Sequence, residues 1–235
     1  MICLNKIYSG LFMVLLLTVS AFSANAQTDP APKKVAIFLY KGAEILDLAG
    51  PAEVFAASGF DTYTMSVDGN EILSQGFITI KPQYSLENAP MPDIVVFPGG
   101  GATATANDPR VMEWVKKLHN RGSILMSVCT GAQILARAGF LDHKNITTWH
   151  GYIKDLQKLV PTAVVLGNTR FVDNGNIITT AGVSAGIDGA LYVVSRLNGM
   201  EAAKQTAFYM EYDKWDPKAG RVDVKMEGVY VKPTF

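Results

Sequence analysis

Residues 123–136 read Ser-Ile-Leu-Met-Ser-Val-Cys-Thr-Gly-Ala-Gln-Ile-Leu-Ala, and they are the strongest indication of the fold in this sequence. Its apolar run at 124–128 is typical of a buried strand that ends on Cys129, and a helix-forming run begins shortly afterwards. Ser127 and Gly131, two residues to either side of the cysteine, are small, as a sharp turn from strand to helix requires. The stretch therefore predicts a nucleophile elbow at the carboxyl end of a strand.

Cys129 is predicted to be a reactive thiol with a lowered pKa. Unpaired backbone N–H groups and the dipole at a helix N-terminus both stabilise a thiolate. The other cysteine, Cys3, lies in a segment that we expect to be removed, so the mature chain holds one thiol and no internal disulfide. A buried structural cysteine is the alternative interpretation.

Short apolar runs alternate with helical runs along residues 34–212, which we predict to form one domain. The strand-like runs at 94–97 and 177–180 and the helical runs at 111–120 and 187–197 illustrate the pattern. This alternation predicts an α/β fold, namely a flavodoxin-like three-layer sandwich with a mostly parallel central sheet.

The C-terminal tail, residues 213–235, carries alternating apolar residues at Val222, Val224 and Met226. This alternation predicts an edge strand or an arm that contacts a second copy of the chain. A homodimer is the expected assembly, because it is the commonest one for soluble proteins. The formal net charge is +0, with no basic patch, so no nucleic-acid partner is expected.

Residues 1–26 have the pattern of a secretory signal peptide. Lys6 precedes an apolar run at 11–19, and Ala-Asn-Ala at 24–26 is a small-residue cleavage signal. Cleavage would leave residues 27–33 as a flexible leader and would make the protein exported, either periplasmic or secreted. The apolar run is too short to span a bilayer, which argues against the alternative of a stable membrane anchor.

Ligands of parallel sheets bind beyond the carboxyl ends of the strands, so the segments that follow predicted strands form the candidate site. Gly99, Gly100 and Gly101 follow one such strand, and their N–H groups, with that of Thr130, can form an oxyanion hole. A flexible turn is the alternative. A phosphate-binding loop is not indicated, because no Gly-Lys-Ser/Thr sequence follows, and no cofactor is expected.

Acid and base candidates lie in the same segments. Asp47 is predicted to be the acid partner of Cys129, although an N-cap for a helix that begins at Leu48 is an equal alternative. Asp188 is predicted either to bind substrate or to cap a helix. His150 follows a short predicted strand and can approach the thiol, and a buried, hydrogen-bonded histidine is the alternative. No spacing of His, Cys, Asp and Glu matches a metal site.

Four segments of the chain resemble the ThiJ/PfpI superfamily, whose members share a class I glutamine-amidotransferase-like sandwich. These segments are Lys41-Gly42-Ala43-Glu44 with Asp47, Phe97-Pro98-Gly99-Gly100, Cys129-Thr130-Gly131, and Ala181-Gly182-Val183-Ser184-Ala185-Gly186-Ile187-Asp188. They are most similar to the isonitrile hydratase branch and are also similar to the sensor domains of AraC-type regulators. The resemblance implies a cysteine-dependent hydratase or lyase that acts on a small molecule, and the pattern of residues 1–26 adds the expectation that it is exported.

The resemblance also bears on the partner of the cysteine. Members with a Cys–His pair carry the histidine directly after Thr-Thr, but Trp149 occupies that position here and His150 comes one residue later. A shift of one residue reverses the direction of a side chain in a strand. The resemblance therefore favours Cys129, Asp47 and Thr130 as the catalytic set. Glyoxalase or deglycase chemistry, and a non-catalytic ligand- or redox-sensing module, are the alternatives.

Export has a direct test. Protein isolated from its native host should begin at Gln27, or at the pyroglutamate formed from it, because the small-residue signal ends at Ala26. Intact-mass analysis measures this N-terminus. A mass that retains residues 1–26 would contradict the prediction.

Overall fold

The computed structural model describes residues 33–223, in which strands and helices alternate. The strands are β1 (Lys34–Phe38), β2 (Asp61–Ser66), β3 (Ile72–Ser74), β4 (Ile78–Ile80), β5 (Tyr84–Ser85), β6 (Ile94–Phe97), β7 (Ile124–Val128), β8 (Asn145–Thr147), β9 (Val164–Leu166), β10 (Phe171–Asp173), β11 (Ile177–Thr180) and β12 (Arg221–Val222). The helices are α1 (Ile45–Ala57), α2 (Ala102–Ala106), α3 (Pro109–Asn120), α4 (Ala132–Arg137), α5 (Ile153–Leu159), α6 (Ala185–Asn198) and α7 (Met200–Tyr209).

Eight of these strands form one sheet in the order β12-β10-β11-β7-β6-β1-β2-β5. All neighbours in it are parallel except β10 and β11, which are antiparallel. The predicted α/β sandwich with a mostly parallel central sheet is therefore confirmed. The carboxyl ends of β1, β6, β7 and β11 lie side by side at one edge, and the four segments singled out in the sequence follow these ends.

The central strands are buried on both faces, because helices cover a parallel sheet from both sides. Every residue of β6, β7 and β11 is buried, and these strands read as continuous apolar or small-residue runs without polar alternation. The core closes around large side chains that are fully buried, including Phe38, Phe55 and Phe97. This packing gives the loops at the carboxyl edge a rigid base.

Glycines allow α6 to approach both the sheet and α1 closely. A Cβ on Gly186 would lie 3.0 Å from Val128, and one on Gly50 would lie 2.8 Å from Cγ1 of Ile187. Both distances are too short for an ordinary carbon contact. The first turn of α1 and the loop before α6 are consequently held against the end of β7, where Cys129 follows.

Some local expectations are wrong. Helix α1 begins at Ile45 rather than at Leu48, because the side chain of Glu44 caps it by accepting the N–H of Asp47. Asp47 is therefore a residue of the first turn and not the N-cap. Strand β10 was not expected, and it forms a hairpin with β11. Strand β9 pairs with β8 outside the main sheet.

The last strand described, β12, pairs in parallel with β10 at the edge of the main sheet. The rest of the tail alternation, Val224 and Met226, lies outside the described residues, as do the predicted signal peptide and most of the leader. None of the helices within residues 33–223 has the length and apolar composition that a membrane span requires.

Candidate active site

Cys129 occupies the elbow that the sequence predicted. It directly follows β7 and opens a 3₁₀ turn, Cys129–Gly131, which leads into α4. Its φ of 56° lies in the left-handed region, which a non-glycine residue adopts only where its surroundings hold it. The Cys129 N–H donates to the carbonyl oxygen of Ala181 over 3.1 Å, and the hydroxyl of Thr148 donates to the Cys129 carbonyl over 2.7 Å.

Two glycines let the loop after β6 contact the elbow. A Cβ on Gly131 would collide with the carbonyl oxygens of Phe97 and Pro98. A Cβ on Gly99 would lie 2.6 Å from Oδ2 of Asp47 and 2.8 Å from Sγ of Cys129. Glycine at these two positions brings the main chain against both the carboxyl group and the thiol.

Asp47 is fully enclosed, and its carboxyl group is held by main-chain donors from two loops. The Gly99 N–H donates to Oδ2 over 2.7 Å, and the Val183 N–H donates to Oδ1 over 2.8 Å. Val183 has a φ of 54°, so the loop before α6 adopts a strained conformation where it delivers this donor. The carboxyl group and the Cys129 thiol lie against the same face of Gly99, close enough for each to act on the pKa of the other.

The prediction of a lowered pKa for the Cys129 thiol is wrong. Burial and the negative charge of Asp47 raise the pKa of Cys129 to about 12, although the N–H and hydroxyl of Thr130 act in the opposite direction. Only 6% of the Cys129 surface is exposed. The donors at the turn therefore do not outweigh the low polarity of the site and the neighbouring carboxylate.

The same environment raises the pKa of Asp47 to about 7. Burial is the largest cause and the charge of Glu44 adds to it, whereas the N–H groups of Gly99 and Val183 oppose the rise. Between pH values of about 7 and about 12, the Cys129–Asp47 pair consequently holds a single proton. In that state the carboxylate can take the proton of the thiol at the moment when sulfur attacks a substrate.

The predicted oxyanion hole is wrong in its glycine part. The Gly99 N–H donates to Asp47, the Gly100 N–H donates to Oγ1 of Thr130 over 2.9 Å, and the Gly101 N–H donates to the carbonyl of Gly42 over 3.0 Å. All three donors are thus engaged within the protein. The glycine loop holds the acid and the elbow in place, and of the predicted donors only the Thr130 N–H faces the sulfur.

The structure does not bring Asp188 to the thiol. Its carboxylate forms an ion pair with Arg170 and accepts the hydroxyl of Tyr212 over 3.3 Å. Arg170 also donates to the hydroxyl of Ser184 over 3.0 Å. Asp188 therefore helps to fix the loop that carries Val183, and it reaches the site only through that loop.

His150 is exposed, and no hydrogen bond joins it to Cys129 in the described part of the chain. Its ring lies against that of Trp149, with 4.9 Å between the ring centroids. The Trp149 ring covers Gly182, where a Cβ would lie 2.6 Å from Cδ1 of the indole. No group of three or more His, Cys, Asp or Glu residues within 33–223 is arranged to hold a metal ion.

Tyr40 is a residue of the site that the sequence reasoning did not single out. It is buried, and its hydroxyl donates to the carbonyl of Pro98. The same peptide unit carries the Gly99 N–H that binds Asp47. Burial, followed by the charges of Asp47 and Cys129, raises the pKa of Tyr40 well above its usual value, so the hydroxyl stays a donor. Its place just before the segment Lys41–Glu44 was the signal available in the sequence.

Comparison with known proteins gives a family match over most of the described domain. The DJ-1/PfpI family matches residues 33–196, a range that contains all four segments of the site. A solved structure of a ThiJ/PfpI family protein from Pseudomonas syringae superposes with a TM-score of 0.71 at 27% identity, and the match covers 80% of this chain and 78% of that one.

Two curated proteins are similar to the chain at the same level of identity. Isonitrile hydratase of Pseudomonas putida is 29% identical over 182 residues, which cover 76% of this chain and 78% of that enzyme. The Parkinson disease protein 7 homolog of Danio rerio is 29% identical over 181 residues, which cover 74% of this chain and 95% of that protein. An enzyme is therefore among the relatives of the chain.

The hydroxyl of Tyr40 should influence the site through the Pro98–Gly99 peptide. Tyr40→Phe should shift the pH dependence of Cys129 alkylation by iodoacetamide, because the donor to Asp47 loses its support. Tyr63→Phe is a matched control, since Tyr63 is also buried and donates to the carbonyl of Pro90. Both variants should lose about 1–3 kcal/mol of unfolding free energy. Identical alkylation profiles in the two variants would contradict this role for Tyr40.

Asp47→Asn should lower the pKa of the Cys129 thiol by about one unit or more, because it removes a like charge beside the sulfur. Titration of the ultraviolet absorbance of the thiolate measures the change. His150→Ala is the control and should leave the titration unchanged. An unchanged midpoint in Asp47→Asn would mean that another group controls the thiol.

Proposed function

The chain belongs to the DJ-1/PfpI family, and we propose that it is a cysteine-dependent hydratase that adds water to a small electrophilic carbon of the isonitrile type. The observation that carries the proposal is the enclosed Cys129–Asp47 pair, in which both groups lie against Gly99; between pH values of about 7 and about 12 the pair holds one proton. The similarity to isonitrile hydratase supports the same reaction class. Export, from the pattern of residues 1–26, is part of the proposal.

The first half of the reaction uses the shared proton. Asp47 takes the proton of the Cys129 thiol as sulfur bonds to the terminal carbon of the isonitrile. Asp47 then delivers the same proton to that carbon. The product is a thioimidate on Cys129, in which carbon has gained one bond to sulfur and one to hydrogen, and Asp47 is again a carboxylate.

The second half is hydrolysis of the thioimidate. The nitrogen gains a proton, water bonds to the carbon, and Asp47 accepts a proton from that water. The carbon–sulfur bond then breaks, Asp47 returns a proton to sulfur, and the hydroxyl proton leaves as the carbonyl forms. The sum is one isonitrile and one water converted to one N-substituted formamide, with the thiol regenerated.

The engaged glycine donors favour this chemistry over acyl transfer. A tetrahedral intermediate formed from a carbonyl places negative charge on oxygen and needs free N–H donors close to it. The N–H groups of Gly99, Gly100 and Gly101 are already bonded within the protein. Addition to an isonitrile places the electron pair on carbon instead. That carbon needs a proton donor, which the protonated Asp47 supplies.

The low solvent exposure of Cys129 and Asp47 also favours a substrate with a narrow, linear reacting group. Cys129 exposes 6% of its surface and Asp47 exposes none. Gly99 lies directly against both groups, so little room remains around the sulfur. A terminal carbon on a linear group can reach a sulfur in this position more easily than a peptide carbonyl that is flanked by chain on both sides.

Turnover and its pH dependence test the proposal. The protein should convert an alkyl isonitrile to the formamide without an added cofactor, and Cys129→Ala should abolish the conversion. The value of kcat/KM should rise as the pH rises through about 7, because Asp47 must be ionised to accept the thiol proton. Asp47→Asn should lower kcat by about a hundredfold or more, whereas His150→Ala should change it little.

Other outcomes separate the alternatives. Clearance of methylglyoxal through Cys129 without formamide formation would favour the glyoxalase class. If neither substrate is turned over, but a small molecule protects Cys129 from alkylation, a ligand-sensing module is favoured. A larger loss of kcat in His150→Ala than in Asp47→Asn would restore a Cys–His pair.

A further inference from the structure

Glu44 occupies a position between the enclosed acid and the solvent. Its Oε2 accepts the N–H of Asp47 over 2.7 Å, which caps α1, and its own N–H donates to the carbonyl of Gly99 over 3.1 Å. The carboxyl group of Glu44 thus lies beside the first turn that carries Asp47, close enough for its charge to act on the Asp47 carboxyl group. Asp47 is fully enclosed, whereas Glu44 is only half-buried.

The other groups that face Asp47 cannot exchange a proton with water. Gly99 and Val183 present main-chain N–H groups, which keep their protons. The hydroxyl of Tyr40 is buried and committed to a carbonyl, and Cys129 is the reacting group itself. The carboxyl group of Glu44 is therefore the only titratable partner of Asp47, among the residues described, that also reaches the solvent.

The proposed reaction needs such an exchange in mid-cycle. When Asp47 has delivered its proton to the substrate carbon, the pair holds no further proton for the thioimidate nitrogen. Water adds readily to that carbon only after the nitrogen gains a proton. Asp47 must consequently take up a proton from bulk water, and it has no direct contact with bulk water.

We propose that Glu44 is the solvent-facing member of a two-carboxyl proton relay and that it protonates Asp47 again between the two halves of the reaction. This inference rests on the hydratase function proposed above. A proton moves from water to Glu44, then to Asp47, and then to the nitrogen of the thioimidate. One proton returns to water when the formamide carbonyl forms, so the cycle balances without another reactant. Glu44 acts through Asp47 and is a positioning residue.

The electrostatics of the pair agree with this role. The charge of Glu44 contributes to the raised pKa of Asp47, after the larger effect of burial. Because of this, Asp47 can both hold and release a proton close to neutral pH. Removal of the Glu44 charge should lower the pKa of Asp47 and should move the acidic limb of the pH profile to lower pH.

Glu44→Gln separates the relay from the helix cap. The amide oxygen of glutamine can still accept the Asp47 N–H, but the side chain can no longer carry a proton. About one pH unit above the Asp47 pKa of about 7, kcat should fall by about tenfold or more. There kcat/KM should stay unchanged, because thioimidate formation needs no new proton. The thioimidate should accumulate on Cys129 and should be visible by intact-mass analysis.

Two further variants complete the experiment. Glu44→Asp keeps a carboxyl group and a good N-cap residue, so it should recover part of the lost kcat. Asp108→Asn is the control for loss of an N-cap carboxylate, because Asp108 caps α3 by accepting the Arg110 N–H over 2.9 Å. Asp108→Asn should leave kcat and the adduct level as in the wild type.

The outcomes distinguish failure of the relay from failure of the hydratase function. If wild-type protein makes formamide, and Glu44→Gln retains its kcat without accumulating adduct, the relay is overturned and the function stands. If wild-type protein makes neither formamide nor adduct, alkylation of Cys129 by iodoacetamide decides the matter. If the acidic limb of the pH profile of alkylation shifts to lower pH in Glu44→Gln, proton sharing between Glu44 and Asp47 is supported. If that limb does not shift, the proposed sharing is overturned.

Discussion

The enclosure of a carboxyl group beside a buried thiol is the constraint on which the rest of the site depends. Neither Asp47 nor Cys129 can ionise there without help, because the low polarity of the interior disfavours both charges. The protein supplies that help as main-chain N–H groups from Gly99 and Val183, which belong to loops that follow different strands. The close approach of α6 to α1 through Gly50 brings these parts together.

This arrangement strains the backbone of the surrounding loops and engages N–H donors that a substrate could otherwise use. Cys129 and Val183 both adopt left-handed backbone conformations, which neither side chain favours. The glycine loop after β6 gives up its N–H groups to the protein, so it stabilises the acid instead of a substrate oxygen. A site built in this way suits a reaction that is limited by proton delivery more than one that is limited by charge on oxygen.

The features that depend on local chemistry were predictable from the sequence. A buried run that ends on a cysteine between small residues predicts the elbow, and alternating runs predict the parallel sheet. The sequence could not show that the N–H groups of residues 99–101 are hydrogen-bonded within the protein, because their acceptors are remote in the chain. The thiol pKa was misjudged because burial, the largest cause of its rise, depends on the packing of distant segments; the charge of Asp47 adds to it. Strand β10 and helix α2 are too short, at three and five residues, for periodicity to reveal them.

The raised pKa of Asp47 also makes the free energy of unfolding depend on pH. Its rise from 3.8 to about 7 corresponds to about 4 kcal/mol of unfolding free energy. This contribution is fully present below the ordinary pKa of an aspartic acid, and it is lost as the pH rises through about 7. The pair reaches its reactive one-proton state only above that point. The fold is therefore least favourable for Asp47 in the pH range in which the proposed reaction needs it ionised, as expected if its burial serves the proposed chemistry and not stability.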